Sequence, residues 1–170
     1  TEVIAAAGEL PTDLWSVPVG ALRLTEIFGA GRVAPATLVL MRRCAAEAFE
    51  DVALGAPPPT FALGSSGAIR ALVPFAAGRG NATRTEVSRA VDAIAALSVT
   101  ERRKRFDPKR AETVVAGAVV LEAVMRRLDV GWIAAVSRGL RDGVLVDLMR
   151  RSAGDGACRS PRRTQLTLEG

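Results

Sequence analysis

The sequence predicts an α/β domain in which a mixed β-sheet is flanked by helices. Two strand-like segments come first, at Thr1–Ala6 and Leu14–Leu24, and strands then alternate with amphipathic helices. This order is typical of layered α/β domains. Short turns rich in Gly and Ser follow two later apolar strands, at Gly64–Gly67 and Ser137–Gly139. With 170 residues, 49% of them hydrophobic, the chain is long enough to bury one sizeable core.

The N-terminal segments are predicted to be extended. Thr1–Ala6 is a short apolar strand, and Gly8–Pro11 is a turn. Apolar residues alternate roughly through Leu14–Leu24, which predicts a second strand with a bend or bulge at Pro18 and Gly20.

Helices are predicted where apolar residues recur at spacings of three and four. Three consecutive prolines make residues 56–60 a connector, Gly78–Asn81 is a loop, and Trp132–Val136 is a compact strand. Asp107 and Pro108 are typical of an N-cap followed by the first helical residue. The predicted helices are Ala36–Val52, Ala68–Pro74, Thr85–Leu97, a short charged helix opened by Thr100–Arg103, the segment after Asp107, and Leu140–Arg151.

Composition excludes several kinds of site. The chain has no His, so it cannot contain a Ser-His-Asp or Cys-His catalytic unit or a His-ligated metal. Cys44 and Cys158 lie far apart, which indicates neither a zinc site nor a disulfide and favours a reducing, cytoplasmic compartment. No apolar run approaches the roughly 20 residues of a membrane span, so we expect no membrane association.

The positive charge suits an anionic ligand but does not identify one. The formal net charge is +5, from 23 Lys and Arg against 18 Asp and Glu. Only Lys104 and Lys109 are lysines, and guanidinium groups match phosphate oxygens well. Arg102, Arg103 and Lys104 are able to steer a polyanion, although a solvated helix face is the favoured interpretation. No specific nucleic-acid partner is expected.

The Gly64-Ser65-Ser66-Gly67 turn is the most direct indication of a ligand. An apolar strand enters this turn and a helix-competent segment leaves it, so backbone N–H groups and a helix dipole face outward. Such a turn suits a phosphate, although the two glycines also suit a purely structural connection. If the strands before this turn and before Ser137–Gly139 are neighbours, both turns open onto one sheet edge.

Five segments, taken in order, carry a resemblance to a known family. They are Thr1–Ile4, Ser16–Glu26, Gly64–Leu72, Ala116–Leu128 and Ser137–Val144. They resemble, respectively, the end of a Gly-Gly-Gly-Ser-Thr-Glu phosphate loop, a "slplGavrLtE" strand, a "GTSGTIRAL" turn, a "vaGalileevmrrL" helix and a "SdrGLREGvl" segment. These are motifs of the Ppx/GppA family of exopolyphosphatases and guanosine pentaphosphate phosphohydrolases, and they span about residues 1–151.

The resemblance implies a ribonuclease-H-like lobe of the actin-like ATPase superfamily, in which two such lobes clamp a phosphorylated ligand. Residues 1–151 are then most of the second lobe, and 152–170 are a basic, disordered tail. The first lobe, with the catalytic glutamate, is expected to lie outside this sequence and to be its partner. A homodimer is a further partner that we consider.

The resemblance also implies roles for individual residues. Glu2 corresponds to a catalytic carboxylate that helps to hold Mg²⁺, although an exposed strand glutamate is an equal alternative. Arg70 is placed to reach a phosphate or to pair with a nearby acid. Asp142 is expected to cap a helix, and Gly117 to allow close packing. The expected phosphate-binding residues are Thr1, Gly64, Ser65, Ser66, Gly67, Arg70, Ser137 and Arg138.

The function expected from this resemblance is Mg²⁺-dependent hydrolysis of a phosphoanhydride. The substrates are inorganic polyphosphate or guanosine pentaphosphate (pppGpp), and the chain alone is expected to be inactive without the first lobe. A non-hydrolytic actin-like lobe that binds nucleotide or regulates a partner is the alternative. A basic module that binds any polyanion, with a steep dependence on salt, is a third.

Overall fold

The computed structural model describes residues 1–8, 10–55 and 59–152. The strands are β1 (Glu2–Ala7), β2 (Leu10–Ser16), β3 (Ala62–Gly64), β4 (Asn81–Thr83) and β5 (Trp132–Ala135). The helices are α1 (Ala21–Phe28), α2 (Pro35–Ala48), α3 (Gly67–Ala77), α4 (Arg84–Ala96), α5 (Val99–Arg105), α6 (Pro108–Ala111), α7 (Val114–Arg127) and α8 (Leu140–Ser152).

Strands β1 and β2 form an antiparallel pair with a register shift between Ala5 and Ala6. The prediction of one strand over Leu14–Leu24 is wrong beyond Ser16, because α1 begins at Ala21. Gly20 is the N-cap of this helix, and Leu24 is its buried residue. Apolar residues in this segment alternate well enough for a strand, but packing against α7 selects the helical period.

The other sheet is mixed, with the strand order β3-β5-β4. Strand β3 is parallel to β5, and β4 is antiparallel to β5. Strand β4 occupies part of the predicted loop Gly78–Asn81 and extends beyond it to Thr83. Three residues carry too little periodicity to be recognised as a strand, so only pairing with β5 reveals it.

Helix α7 forms the centre of the domain. It packs against α1, α2, α3 and α4, and almost every residue from Val114 to Met125 is buried. The expected close packing at Gly117 is confirmed, since a Cβ there would lie 2.8 Å from the Cβ of Ala68. The described residues therefore form an α/β domain with a mixed sheet and flanking helices, as the sequence predicts.

Helix boundaries depart from the predictions where proline or capping decides them. Helix α3 continues past Pro74 to Ala77, and its C-cap, Gly78, adopts a left-handed conformation with φ of 67°. Asp107 is confirmed as an N-cap, since its Oδ1 accepts a 3.0 Å hydrogen bond from the Lys109 N–H. The segment that follows it is broken into α6 and α7 rather than continuous.

Arg102 contradicts the prediction of a solvated helix face. It lies on α5 with 1% of its surface exposed, whereas Arg103 and Lys104 are exposed. Val99 and Phe106 lie at helical spacing on either side of Arg102, but a run of charged residues is typical of a solvated face and does not by itself indicate that one of them is buried. Three predicted segments lie partly outside the described residues. The parts that are not described are residues 56–58 of the connector, Glu9 of the turn and residues 153–170 of the expected tail.

Candidate functional site

The two glycine-containing turns open onto the same edge of the sheet, as the sequence predicts for neighbouring strands. Strands β3 and β5 are parallel, and Gly64 stands opposite Ala135. The Val136 N–H donates a 2.9 Å hydrogen bond to the Gly64 carbonyl. Ser137 therefore begins the second turn immediately beside the end of β3.

The first turn leads directly into α3, with Ser66 as the N-cap. Ser66 Oγ accepts a 3.1 Å hydrogen bond from the Ile69 N–H, and its carbonyl accepts one from the Arg70 N–H. The N–H groups of Gly67 and Ala68 begin the helix and have no helical acceptor. Together with the helix dipole, they present donors to an anion outside the turn.

Arg110 approaches this turn from α6. A Cβ built on Gly67 would lie 2.8 Å from Cζ of Arg110 and closer still to Nη1, so the guanidinium group occupies the space beside Gly67. The side chain of Arg110 makes no hydrogen bond or ion pair with the described residues. A guanidinium placed beside the positive end of a helix without a carboxylate is electrostatically unfavourable. A bound anion would relieve that repulsion.

Arg70 and Arg138 add further positive charge near the two turns. Arg70 lies one turn into α3, and Arg138 follows Ser137 in the second turn; both are exposed. Neither side chain pairs with a carboxylate in the part of the chain that the structure describes, so the acid pairing considered for Arg70 is not observed. Asp142 caps α8 as expected, because its Oδ2 accepts a 2.8 Å hydrogen bond from the Gly139 N–H.

Gly64 has a different environment from Gly67. A Cβ on Gly64 would lie 2.6 Å from Cδ1 of Ile69 and 3.0 Å from Cδ1 of Ile133. Gly64 thus permits close packing of the turn on apolar side chains, whereas Gly67 leaves room for a cationic side chain. The exposed Ser65 and Ser66 hydroxyls complete the outward surface of the turn.

Thr1 and Glu2 lie in the other sheet. The Thr1 hydroxyl donates a 2.6 Å hydrogen bond to the Val19 carbonyl, which anchors the start of β1 to the segment before α1. The Glu2 side chain is exposed and opposite Ser16. Within residues 1–8, 10–55 and 59–152, strands β1 and β2 form a sheet separate from that of β3, β4 and β5, so strand pairing does not bring Glu2 to the glycine turn.

Arg110 is the functional candidate that sequence reasoning missed. It is far from Gly67 in sequence, and the two meet only because the Arg110 side chain extends from α6, which packs against α5 and α7, to the start of α3. A lone arginine in a short charged stretch has no pattern that separates it from solvated neighbours. Its proximity to Gly67 is a consequence of tertiary packing alone.

A family model for the Ppx/GppA phosphatase family matches residues 1–152. The chain belongs to the Ppx/GppA phosphatase family. This match covers all five segments that carry the resemblance in the sequence, as well as both turns. No curated protein gives a significant match.

Solved structures of Ppx/GppA proteins have the same fold. A Ppx/GppA family member from Aquifex aeolicus superposes with a TM-score of 0.79 at 19% identity, over 89% of this chain and 53% of its own. An exopolyphosphatase from Cytophaga hutchinsonii superposes with a TM-score of 0.75 at 19% identity, over 88% of this chain and 54% of its own. An exopolyphosphatase-like protein superposes with a TM-score of 0.78 at 19% identity, over 89% of this chain and 56% of its own. The predicted actin-like fold class is thereby confirmed.

The present chain spans about half the length of these solved Ppx/GppA structures. Among the described residues, no helix has both the length and the apolar character needed to cross a membrane.

Proposed function

We propose that this Ppx/GppA chain is the phosphate-holding second lobe of a phosphoanhydride hydrolase. Its substrate would be inorganic polyphosphate or guanosine pentaphosphate, and the Gly64–Gly67 turn would bind a phosphate group of either. The observation that carries the proposal is the guanidinium group of Arg110 beside Gly67, without a carboxylate partner, at the start of α3. Membership of the Ppx/GppA phosphatase family agrees with this chemistry.

In this proposal, each polar group at the turn has a defined task. The N–H groups of Gly67 and Ala68 donate to one phosphate oxygen, and the Arg110 guanidinium donates to another. Arg70 and the Ser137-Arg138 turn contact the neighbouring phosphate groups of the same substrate molecule. These contacts orient the substrate and counter its charge, which is most of what a protein contributes to phosphoryl transfer.

Glu2 fits the role of a partial Mg²⁺ ligand. The described residues contain no group of three or more His, Cys, Asp or Glu side chains that would hold a metal ion by themselves. Mg²⁺ is commonly held by one or two carboxylates, substrate phosphates and water, so a single exposed carboxylate suffices on this side. When bound, the ion would offset charge on the transferred phosphoryl group.

The partner that we propose is the first lobe, supplied by a longer protein. Helix α8 has no buried residue, and six of its apolar side chains are exposed: Leu140, Val144, Leu145, Val146, Leu148 and Met149. Ile4 and Leu14, paired across β1 and β2, are also more than 60% exposed. Apolar surface of this extent marks an interaction site, and solved family members have nearly as much chain again.

Hydrogen exchange tests this partner. The amides of α8 should exchange rapidly in the 170-residue chain and be protected in a longer protein that contains the first lobe. Equal exchange of α8 in both proteins would exclude docking of the first lobe on this helix. Light scattering adds a check, since a stable dimer of the 170-residue chain would make a second copy the occupant.

Calorimetric titration with tripolyphosphate tests the phosphate site. Arg110→Ala should weaken binding about tenfold, because a hydrogen bond to a charged group contributes about 1.5 kcal/mol. Arg43→Ala is the matched control: it removes the same charge from α2, where Arg43 pairs with Glu47. Equal losses in both variants would indicate nonspecific attraction and contradict the site.

The Mg²⁺ assignment needs its own comparison. Mg²⁺ should strengthen tripolyphosphate binding to the wild-type chain, and Glu2→Gln should remove most of that increase. Asp13→Asn on the neighbouring strand β2 is the control, because it removes a nearby carboxylate outside the proposed site. If the two variants respond alike to Mg²⁺, Glu2 is not a ligand.

Catalysis itself is tested by phosphate release. The 170-residue chain should release no phosphate from polyphosphate in the presence of Mg²⁺, because the water-positioning carboxylate is proposed to lie in the first lobe. The longer protein should release phosphate. Robust release by the 170 residues alone would overturn this division of roles, and binding without release by the longer protein would favour a regulatory lobe.

A further inference from the structure

The guanidinium group of Arg102 is buried among backbone carbonyls rather than carboxylates. Nε donates to the Leu97 carbonyl at 3.3 Å, and Nη1 donates to those of Ala30 and Ala111 at 3.4 and 3.3 Å. Nη2 donates to the Gly31 carbonyl. Four of the five guanidinium N–H groups are therefore engaged. Arg102 forms no ion pair with a carboxylate of the described residues.

These carbonyls belong to three separate parts of the fold. Leu97 follows α4, Ala30 and Gly31 connect α1 to α2, and Ala111 ends α6. The planar guanidinium group reaches all of them at once, which a lysine ammonium with three donors cannot do. Desolvation lowers the pKa of Arg102 from its ordinary value, yet a guanidinium group is effectively always protonated in proteins.

Ala111 is the residue that links this cluster to the glycine turn. It is fully buried, and it directly follows Arg110, whose guanidinium lies beside Gly67. Helix α6 has only four residues, so it has little stability of its own. The Asp107 cap holds one end of α6, and the Arg102–Ala111 hydrogen bond holds the other, next to an ion pair between Arg103 and Glu112.

We propose that Arg102 is a positioning residue that sets the place of Arg110 at the Gly64–Gly67 turn. Arg102 holds the end of α6 through the Ala111 carbonyl and thereby directs the Arg110 guanidinium towards Gly67. This inference rests on the proposed phosphate site, but it assigns a task to a residue that does not touch the ligand.

A double-mutant cycle tests the coupling by tripolyphosphate titration of the 170-residue chain. Arg102→Lys should weaken binding about fivefold in the wild-type background, because at least one carbonyl contact is lost. In the Arg110→Ala background it should have almost no effect, because the group that it positions is gone. Equal effects of Arg102→Lys in both backgrounds, or none in the wild type, would overturn the proposal.

Reduced stability alone must not explain the result. Val91→Ala removes two methyl groups from a fully buried position on α4 and should lower stability without changing tripolyphosphate affinity. If Val91→Ala weakens binding as much as Arg102→Lys at equal stability, the role of Arg102 is only structural. Circular dichroism and thermal unfolding establish that each variant is folded.

A second pair of variants keeps the test decisive if Arg102→Lys does not fold. Asp107→Ala removes the cap of α6, whereas Asp107→Asn keeps a capping oxygen and loses the same charge. Asp107→Ala should weaken binding several-fold, and Asp107→Asn should not. Equal affinities for the two variants would show that the position of α6 does not control Arg110.

The proposed function fails separately from this inference. If the wild-type chain does not bind tripolyphosphate, both are wrong. If it binds and Arg110→Ala binds equally well, the chain still holds a polyphosphate, but neither Arg110 nor its positioning by Arg102 contributes, and this inference is wrong.

Discussion

The guanidinium group of Arg110 fills the space beside Gly67 that a side chain at that position would require. A Cβ on Gly67 would lie 2.8 Å from Cζ and 2.9 Å from Nη2 of Arg110. The obstructing atoms are the far end of a flexible side chain rather than backbone. A substitution at Gly67 therefore displaces the cation without disturbing the core, which separates the proposed phosphate binding from stability at a single residue.

Gly67→Ala should weaken tripolyphosphate binding roughly fivefold, because the displaced guanidinium loses about 1 kcal/mol of charge-assisted contact. Its thermal midpoint should stay the same or rise, since alanine is a better helix former than glycine. Calorimetric titration and thermal unfolding of one preparation measure both quantities.

Gly64→Ala is the matched comparison for Gly67→Ala. The added Cβ would meet Ile69 and Ile133, so overpacking should lower the free energy of unfolding by about 1–3 kcal/mol. A loss of stability at Gly67 of similar size, or unchanged affinity there, would show that Arg110 does not fill this space in solution.

Local patterns were sufficient to predict the elements that frame this site. The Gly-Ser-Ser-Gly turn, the Asp107 cap and the apolar face of α2 each depend on residues close in sequence, and the structure confirms all three. Parallel pairing of β3 and β5 then brings the two turns to one edge. The glycine turn was therefore predictable as a backbone feature.

Contacts between distant segments were not predictable in the same way. Arg102 lies in a run of charges that is typical of a solvated face, but backbone carbonyls surround it, and two of them, of Ala30 and Gly31, come from a segment about 70 residues away. The position of Arg110 depends in turn on the packing of α6 against α5 and α7. Likewise, the spacing of apolar residues over 21–24 fits a strand as well as a helix, and packing of α1 against α7 decides for the helix.

The buried carboxylate of Glu122 joins three helices. It accepts hydrogen bonds from Nε of Arg42 at 2.7 Å, Nη2 of Arg126 at 2.7 Å and Oγ of Ser88 at 2.6 Å. Glu122→Ala should lower the free energy of unfolding by about 3 kcal/mol, because the arginines lose their shared counter-charge. This loss is smaller than for a fully buried ion pair, because Arg42 retains its ion pair with Asp92 and the Arg126 side chain is 58% exposed.

Urea unfolding measures this effect, with Ser88→Ala as the control. The control removes one hydrogen bond and leaves both ion pairs, so it should lower the free energy of unfolding by only about 1 kcal/mol. Equal values for the two variants would mean that the ion pairs contribute nothing to the packing of α2, α4 and α7.

Close packing at Gly117 should make α7 sensitive to a single methyl group. Gly117→Ala places a Cβ 2.8 Å from the Cβ of Ala68 and 3.4 Å from that of Ala21, and neither neighbour has a flexible end that can move aside. The expected loss in the free energy of unfolding is about 1–3 kcal/mol.

The double variant Ala68→Gly/Gly117→Ala should recover most of that stability. Ala68→Gly alone should cost about 0.5–1 kcal/mol in α3, so the two losses should be strongly non-additive. Additive losses in chemical unfolding would indicate that the helices shift apart rather than clash at this point.

Two capping boxes should make the domain less stable in acid. The Glu86 carboxylate accepts a 2.7 Å hydrogen bond from the Thr83 N–H, and Glu101 accepts one of 2.8 Å from Ser98. These backbone and hydroxyl donors, with Arg79 beside Glu86, lower the pKa of both carboxyls below the ordinary value of 4.5. The stability that these two carboxylates contribute is present above pH 4.5 and is lost as the pH falls through their lower, folded-state pKa.

Thermal unfolding between pH 6 and about pH 3 tests this pH dependence. The double variant Glu86→Gln/Glu101→Gln should be less stable than the wild type at pH 6, and the difference should shrink as the pH falls below 4.5. Glutamine at the third helical position retains a capping oxygen but cannot titrate. Glu26→Gln, at an exposed position on α1, is the control and should follow the wild-type curve. A pH-independent difference between the double variant and the wild type would mean that hydrogen-bond geometry, not carboxylate charge, stabilises α4 and α5 at these caps.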